Sequence, residues 1–207
     1  MSGIRVEPLT GERLIALLPD LARLRIAVFR TFPYLYDGSL AYEEGYLRTY
    51  AEAADSVVVG AFAGETVVGA STGLPLAHEP PTLTDTFTAH GFDVAKVFYF
   101  GESVLLPDYR GHGIGVAFFR EREAHARALG RFDWAAFCGV VRPDGHPRRP
   151  PDHVPLDGFW RGRGFAPVPG MLGSITWRDL DESEQSAKPM QFWVKRLAGA
   201  AGDHRLG

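Results

Sequence analysis

The chain has 207 residues, with 22 Lys and Arg against 25 Asp and Glu, and a formal net charge of -3. This length suits one well-cored domain, and the charge offers no basic surplus for nucleic acid or an anionic membrane surface. Cys138 is the single cysteine, which excludes an internal disulfide. Neither an apolar signal core nor a stretch of eighteen apolar residues is found, so we expect a cytoplasmic protein with small-molecule or neutral protein partners.

The first half of the chain predicts helices and then a hairpin. A short strand at 3–9 precedes helical sequence at 11–30, in which Pro19 and Asp20 favour a break and a new helix. An aromatic loop at 31–39 and a helix at 40–54 follow. Two β-rich segments, 56–63 and 66–72, meet at Gly64-Glu65 and predict a hairpin, and 75–95 is predicted as a loop with a short helix.

The second half predicts alternating strands and helices. A strand at 97–106 leads to a helix at 116–129 that ends at Gly130, and a buried strand at 132–141 follows. Beyond a Pro-rich loop at 142–155, a short helix at 156–163 precedes strand segments at 165–168, 172–178 and 190–197. We predict one α+β domain over 1–198 and a disordered tail at 199–207.

Residues 109–115, Tyr-Arg-Gly-His-Gly-Ile-Gly, form the most informative segment, between the strand at 97–106 and the helix at 116–129. The first turn of a helix leaves backbone N–H groups unpaired at the positive end of the dipole, where a phosphate binds. Glycines leave the backbone accessible there. We interpret the segment as an anion-binding loop; the alternative is a glycine turn that only joins strand to helix.

The spacing of the glycines limits which class of phosphate ligand the loop can bind. A nucleotide P-loop needs Gly-Lys-Ser/Thr, and this segment has neither the Lys nor the hydroxyl, so we exclude that class. A dinucleotide-binding loop needs G-x-G-x-x-G. Gly111 and Gly113 fit this pattern, and Asp133 lies about twenty residues beyond, but Val116 occupies the third glycine position. Dinucleotide binding therefore remains an alternative.

The segment resembles motif A of the GCN5-related N-acetyltransferases (GNAT), Arg/Gln-x-x-Gly-x-Gly/Ala, through Arg110, Gly113 and Gly115. The resemblance implies a single-domain GNAT fold: a mixed central sheet, splayed between its fourth and fifth strands, with helices on both faces. It also implies acetyl-CoA as cosubstrate, with its pyrophosphate on this loop. The implied cofactor-binding residues are Leu105, Leu106, Arg110, Gly111, His112, Gly113, Ile114, Gly115 and Val116.

The activity that the resemblance implies is acetyl-CoA-dependent N-acetyl transfer to an amine of a small molecule or a peptide. A non-catalytic module that binds or senses acyl-CoA is the alternative within the same fold, and a nucleotide-binding protein is the alternative outside it. We expect no nucleic-acid or membrane partner. The oligomeric state stays open, with a homodimer as one possibility.

Two catalytic roles are assigned to the strand at 97–106. By position, the backbone N–H of Leu105 would stabilise the thioester oxyanion. Glu102 is the only carboxylate in the strand, and we predict it as the general base. In the family, the base often occupies places that correspond here to Gly101 and Tyr99, so Glu102 would need a bulge to face the site. The alternative is that Glu102 pairs with an Arg in the cover of the sheet.

The general acid departs from the family pattern. The family's Tyr on the later helix corresponds to Trp160, and an indole does not donate its proton as a phenol does. We predict Tyr36 in this role, with Tyr34, Ser103, Cys138 and water as alternatives.

The acceptor side is expected at the aromatic loop and the helix after it, with help from the loop at 142–153. Tyr34, Tyr36 and Glu43 are the predicted substrate residues; aromatic packing beside a solvated helix is the alternative. His146 and His153 lack metal-ligand spacing, so no metal is expected.

Overall fold

The computed structural model describes residues 3–197, which form eight strands and five α-helices. The tail predicted at 199–207 lies outside the described residues. The strands are β1 (Ile4–Leu9), β2 (Val57–Ala63), β3 (Thr66–Pro75), β4 (Val97–Tyr99), β5 (Ser103–Leu105), β6 (Trp134–Val140), β7 (Ala166–Trp177) and β8 (Ser186–Arg196). The helices are α1 (Gly11–Phe29), α2 (Leu40–Glu52), α3 (Pro81–Ala89), α4 (Ile114–Ala128) and α5 (Asp157–Arg161).

The strands form one mixed sheet in the order β1-β2-β3-β4-β6-β8-β7, with β5 beside β3. Strands β4 and β6 are parallel, and the other pairs are antiparallel. The parallel pairing of β4 with β6 ends at Tyr99 and Ala136, whereas β5 continues along β3. The sheet therefore opens between β5 and β6, and we call this opening the strand gap. The splay predicted between the fourth and fifth strands is confirmed, with the predicted fourth strand divided into β4 and β5.

Two other predictions need correction. Pro19 does not end a helix, because α1 runs unbroken from Gly11 to Phe29. Leu14, Leu18 and Leu21 are buried on both sides of the proline, and their burial offsets the roughly 3 kcal/mol that an interior proline costs. The two strand segments at 165–168 and 172–178 belong to one strand, β7, which is interrupted by a register shift rather than a turn. The hairpin between β2 and β3 is confirmed.

Helices cover both faces of the sheet, as predicted. The face under α1, α2 and α3 buries an aliphatic and aromatic core that includes Leu21, Leu47 and Phe87. The opposite face, under α4, is dominated by rings such as Phe118 and Phe165. We call these the α2 face and the α4 face. A mixed sheet with one parallel pair does not fit the parallel sheet of dinucleotide-binding folds, so the dinucleotide alternative is excluded.

A bulge separates β4 from β5. The N–H groups of both Gly101 and Glu102 point at Thr72, the first to its carbonyl oxygen and the second to its Oγ1. Two consecutive donors on one side shift the alternation of the strand by one residue. As a result, Val104 and Glu102 share the α2 face with Tyr99.

Arg122 on α4 holds this bulge from the other face. Its side chain is buried, with 1% exposed, and donates to the carbonyl oxygens of Thr72 (3.3 Å) and Glu102 (3.1 Å) and to Oγ of Ser103 (2.8 Å). The guanidinium also lies 4.2 Å from the centroid of Phe100. Burial lowers the pKa of Arg122 to about 9, so the group stays protonated at neutral pH. Each of these carbonyl oxygens also accepts a backbone N–H, so Arg122 adds a second, charged donor to each and ties the bulge to α4.

We expect Arg122→Met to destabilise the protein by about 3 kcal/mol, because the bulge carbonyls lose charged donors inside the core. Arg120→Met is the matched control on the same helix, since the side chain of Arg120 is 71% exposed and pairs with Glu121 at the surface. Urea denaturation of both variants measures the difference. Equal midpoints for the two would show that Arg122 does not support the bulge.

Candidate active site

The loop before α4 has the backbone geometry of an anion-binding turn. Gly111 and Gly113 have φ angles of 78° and 77°, and Gly113 is the N-cap of α4. A Cβ at either glycine would meet no atom within 4 Å. These glycines are therefore required by the left-handed backbone and not by lack of space. The turn exposes both of them, together with Arg110 and His112, to solvent.

Gly115, which the sequence assigns to the cofactor loop, also has a role in packing. A Cβ there would lie 3.2 Å from Cζ of Phe159, so the glycine allows α4 to pack closely on α5. The neighbouring Ile114 is buried in the core, whereas Val116 is exposed on the first turn of the helix. Ile114 and Gly115 thus pack α4 against its neighbours, whereas residues 110–113 leave an exposed backbone surface.

The strand gap has a backbone donor on its β5 side. Leu106 donates its N–H to the carbonyl oxygen of Val68 on β3. Because successive N–H groups alternate, the N–H of Leu105 points away from β3 and into the strand gap. Nη2 of Arg110 lies 3.4 Å from the carbonyl oxygen of Leu105 on the same edge. The N–H of Leu105, the predicted oxyanion donor, therefore does not pair with β3, whereas the sheet uses the N–H of Leu106.

Glu102 is held by an arginine, which is the alternative that the sequence left open. Its Oε1 pairs with the guanidinium of Arg25 on α1, and its Oε2 accepts from the hydroxyl of Tyr46 at 3.0 Å. Nε of Arg25 also pairs with Oε2 of Glu43 at 2.5 Å. Burial disfavours the charged form of Arg25, but Glu102, Tyr46 and Glu43 outweigh it and raise its pKa. One buried guanidinium thus pairs with two carboxylates.

This ion-pair cluster corrects the assignment of Glu43 to the substrate. Its side chain has no exposed surface and faces Arg25, so it offers an acceptor no surface to contact. Tyr36 lies beside it, and burial and the Glu43 carboxylate raise the pKa of Tyr36. Glu43 therefore holds the Arg25 guanidinium by an ion pair, and the Tyr36 side chain lies against the Glu43 carboxylate.

Two phenols on α2 join this cluster. The hydroxyls of Tyr46 and Tyr50 are 2.9 Å apart, one helical turn from each other. A Cβ at Gly101 would overlap the hydroxyl of Tyr50. The Tyr50 phenol therefore fills the space where a side chain from this family base position would project. The spacing of Glu43, Tyr46 and Tyr50 along one helical face was the signal for this cluster in the sequence.

Glu79, just beyond β3, also reaches the cluster. Its Oε1 is 3.5 Å from the hydroxyl of Tyr50, a long contact. Burial, and then the charge of Glu102, raise the pKa of Glu79 to about 7, against the effect of the Tyr50 hydrogen bond. No local sequence pattern pointed to this residue, because a turn after β3 brings it to the site.

Cys138 on β6 faces the same side of the strand gap. Its Sγ is 3.0 Å from the hydroxyl of Tyr99. Burial raises the pKa of Cys138 to about 12, so the group is a neutral thiol at neutral pH and a poor nucleophile. Burial raises the pKa of Tyr34 as well, followed by the effects of Cys138 and Glu102, which places the Tyr34 phenol near both groups.

Arg142 fixes the aromatic loop at 31–39. It donates to the carbonyl oxygens of Pro33 (2.7 Å) and Tyr34 (2.8 Å), and it binds both carboxylate oxygens of Asp179 at 2.7 and 2.9 Å. Nε1 of Trp177 also donates to the carbonyl oxygen of Tyr34, at 3.0 Å. Arg142 was expected to contribute to the substrate wall; in the structure it holds the backbone of Pro33 and Tyr34.

Trp160 packs where the family's acid was expected. Its ring centroid is 5.1 Å from those of Phe137 and Trp193. A Cβ at Gly139 would lie 2.8 Å from Cη2 of the indole, so β6 has a glycine where the tryptophan rests. Trp160 thus packs on β6 as part of the aromatic core of the α4 face.

The remaining candidates show no metal geometry. His146 and His153 pack against the ring of Phe32, with centroids 5.6 and 4.7 Å away. Among residues 3–197, no group of three or more His, Cys, Asp or Glu is arranged to hold a metal ion.

Over the same range, none of the helices combines the length and apolar character needed to cross a bilayer.

The chain resembles solved structures far more clearly than known sequences. No protein-family model matches it, and no curated protein matches it. A GNAT-family acetyltransferase from Streptococcus pneumoniae is 12% identical with a TM-score of 0.58, over 95% of this chain and 100% of that one. Ribosomal-protein-alanine N-acetyltransferase from Brucella melitensis is 15% identical with a TM-score of 0.61, over 93% and 99%.

A third structure, yncA from Salmonella typhimurium, contains its cofactor acetyl-CoA. It is 12% identical with a TM-score of 0.59, over 99% of this chain and 100% of that one. Identities this low establish a shared architecture. With the sheet that opens between β5 and β6, these likenesses show that the chain has the fold of the GNAT acetyltransferases along nearly its whole length.

Proposed function

We propose that the protein is an acetyl-CoA-dependent N-acetyltransferase. The observation that carries this proposal is the strand gap with the Leu105 N–H on its edge, next to a glycine turn that begins α4. The turn supplies unpaired backbone donors for a pyrophosphate, and the β5 edge of the strand gap supplies the N–H of Leu105.

Acetyl-CoA would lie across both features. The N–H groups from Gly111 to Gly115 and the charge of Arg110 would hold the pyrophosphate, with His112 and Val116 exposed beside it. The thioester would enter the strand gap with its carbonyl oxygen on the N–H of Leu105, which stabilises negative charge as the amine attacks.

The acceptor would approach from the α2 face, where the phenols and carboxylates lie. Arg25 pairs with Glu43 and Glu102, and within residues 3–197 Glu79 lies near Glu102 without a cation of its own, so the cluster has three carboxylates for one guanidinium. The phenol of Tyr34 adds an aromatic surface. Negative charge and aromatic faces attract ammonium groups, so we infer a cationic amine, on a small molecule or a peptide, without a carboxylate next to the reacting nitrogen.

A panel of amines tests the activity and the acceptor class together. We expect thiol release from acetyl-CoA with simple diamines. Free α-amino acids should give a kcat/KM at least about tenfold lower, the factor expected from about 1.4 kcal/mol of repulsion between their carboxylate and the cluster. Binding of acetyl-CoA without thiol release for any amine would identify a non-catalytic acyl-CoA-binding module instead.

Gly113→Glu tests the cosubstrate loop. The variant places bulk and a negative charge at the turn, so the affinity for acetyl-CoA, measured by calorimetry, should fall at least about tenfold. Gly64→Glu in the β2–β3 hairpin is the matched control, because Gly64 also has a positive φ, 61°, and open space around its Cα. Both variants carry similar backbone strain, about 1 kcal/mol. Wild-type affinity in Gly113→Glu would place the ligand elsewhere.

A further inference from the structure

The three carboxylates of the cluster differ in their partners. Glu43 and Glu102 both pair with Arg25. Among the residues that the structure describes, no cation contributes to the environment of Glu79, whose neighbours are the Glu102 carboxylate and the Tyr50 hydroxyl. Glu79 is also partly exposed, whereas Glu43 has no exposed surface. Glu79 is therefore the carboxylate with both access to solvent and capacity for a proton.

Glu79 also lies at the reacting end of the strand gap. Pro75, near the end of β3, pairs with Phe98 on β4, and the chain then turns through Leu76–His78 to Glu79. The Tyr50 hydroxyl, which Glu79 contacts, fills the space in front of Gly101 at the bulge. This puts the Glu79 carboxylate on the α2 face, beside the bulge where the chain turns away from β6 between β4 and β5.

We propose that Glu79, and not Glu102, accepts the proton that the acceptor ammonium loses. This inference rests on the proposed acetyl transfer. Glu102 is a positioning residue in this assignment, because Arg25 and Tyr46 occupy its two oxygens.

Tyr50 links Glu79 to the rest of the cluster. Its hydroxyl donates to Oε1 of Glu79 over a long contact of 3.5 Å, and the hydroxyl of Tyr46 donates to Glu102. The Tyr50 hydrogen bond lowers the pKa of Glu79, but burial and the charge of Glu102 outweigh it and raise that pKa. A proton on Glu79 therefore removes its repulsion with Glu102 at the site.

The proton balance of the reaction follows from this assignment. The ammonium gives one proton to Glu79, and the nitrogen lone pair attacks the thioester carbon. The C–S bond then breaks and its electron pair leaves on sulfur. The second nitrogen proton passes through solvent to the thiolate, and Glu79 releases its proton to water. One amide, one thiol and one proton result.

The environment of Glu79 sets the pH range of this step. The groups that face it are Tyr46 and Tyr50 on α2, Glu102 after the bulge, Tyr99 on β4 and Cys138 on β6. Burial and the Glu102 charge raise the pKa of Glu79 to about 7. Below that pH Glu79 holds a proton and cannot accept another, so kcat/KM should rise with pH up to about 7 and then level.

Glu79→Gln is the test, measured on the full chain with the best amine of the panel. We expect kcat to fall about 10²-fold or more, with acetyl-CoA affinity by calorimetry unchanged and the pH dependence near 7 lost. Glu79→Asp should keep that dependence at a lower rate. Glu65→Gln controls for loss of one negative charge, since Glu65 is 93% exposed in the β2–β3 hairpin, and its rate should match wild type.

Two results would overturn the assignment. Wild-type kinetics and pH dependence in Glu79→Gln, with a loss in Glu102→Gln, would return the base to Glu102. A wild-type rate in both variants would give the proton to water or to the substrate. Failure of the wild-type protein to acetylate any amine is a separate result: it refutes the proposed function, and the inference about Glu79 with it.

Discussion

The structure depends on one constraint: the chain must turn away from β6 after Tyr99 while the buried backbone groups of the bulge keep their hydrogen-bond partners. Thr72 receives both N–H groups of the bulge, and Arg122 donates to the carbonyl oxygens of Thr72 and Glu102 from the α4 face. The single-residue shift in alternation has two consequences. It points the N–H of Leu105 into the strand gap, and it turns the side chain of Glu102 to the α2 face. The direction of the Leu105 N–H and the position of Glu102 in the acidic cluster thus have the same backbone cause.

The acidic cluster in turn depends on Arg25. Burying Glu43 and Glu102 without a counter-ion would cost several kcal/mol each, and one guanidinium between them removes most of that cost. Glu79 lies outside this pairing, and burial and the charge of Glu102 raise its pKa to about 7. The Tyr50 phenol fills the space in front of Gly101, so a carboxylate side chain at position 101 would not fit there.

The parts that the sequence predicted are those with local causes. The glycine turn, the helix after it and the β2–β3 hairpin are specified by residues within a few positions of one another, and the order of elements follows. The continuous α1 could not be predicted from Pro19, because burial of Leu14 and Leu18 against the sheet decides it. Glu79 reaches the site only through the β3–β4 register, and the direction of Glu102 depends on the bulge. Neither the position of Glu79 nor the direction of Glu102 can be seen in a linear sequence pattern. The spacing of Tyr46 and Tyr50, one helical turn apart, can be.

The two faces of the sheet have different chemistry, and the strand gap joins them. Beside α5 the contacts are ring on ring, with Trp160 against Gly139 and Phe159 against Gly115, and this packing supports the glycine turn that begins α4. On the α2 face the aliphatic core continues up to the cluster of charges and phenols around Arg25, and Arg142 holds the aromatic loop nearby. A substitution beside α5 therefore acts on the turn through packing, whereas a substitution in the Arg25 cluster acts through charge.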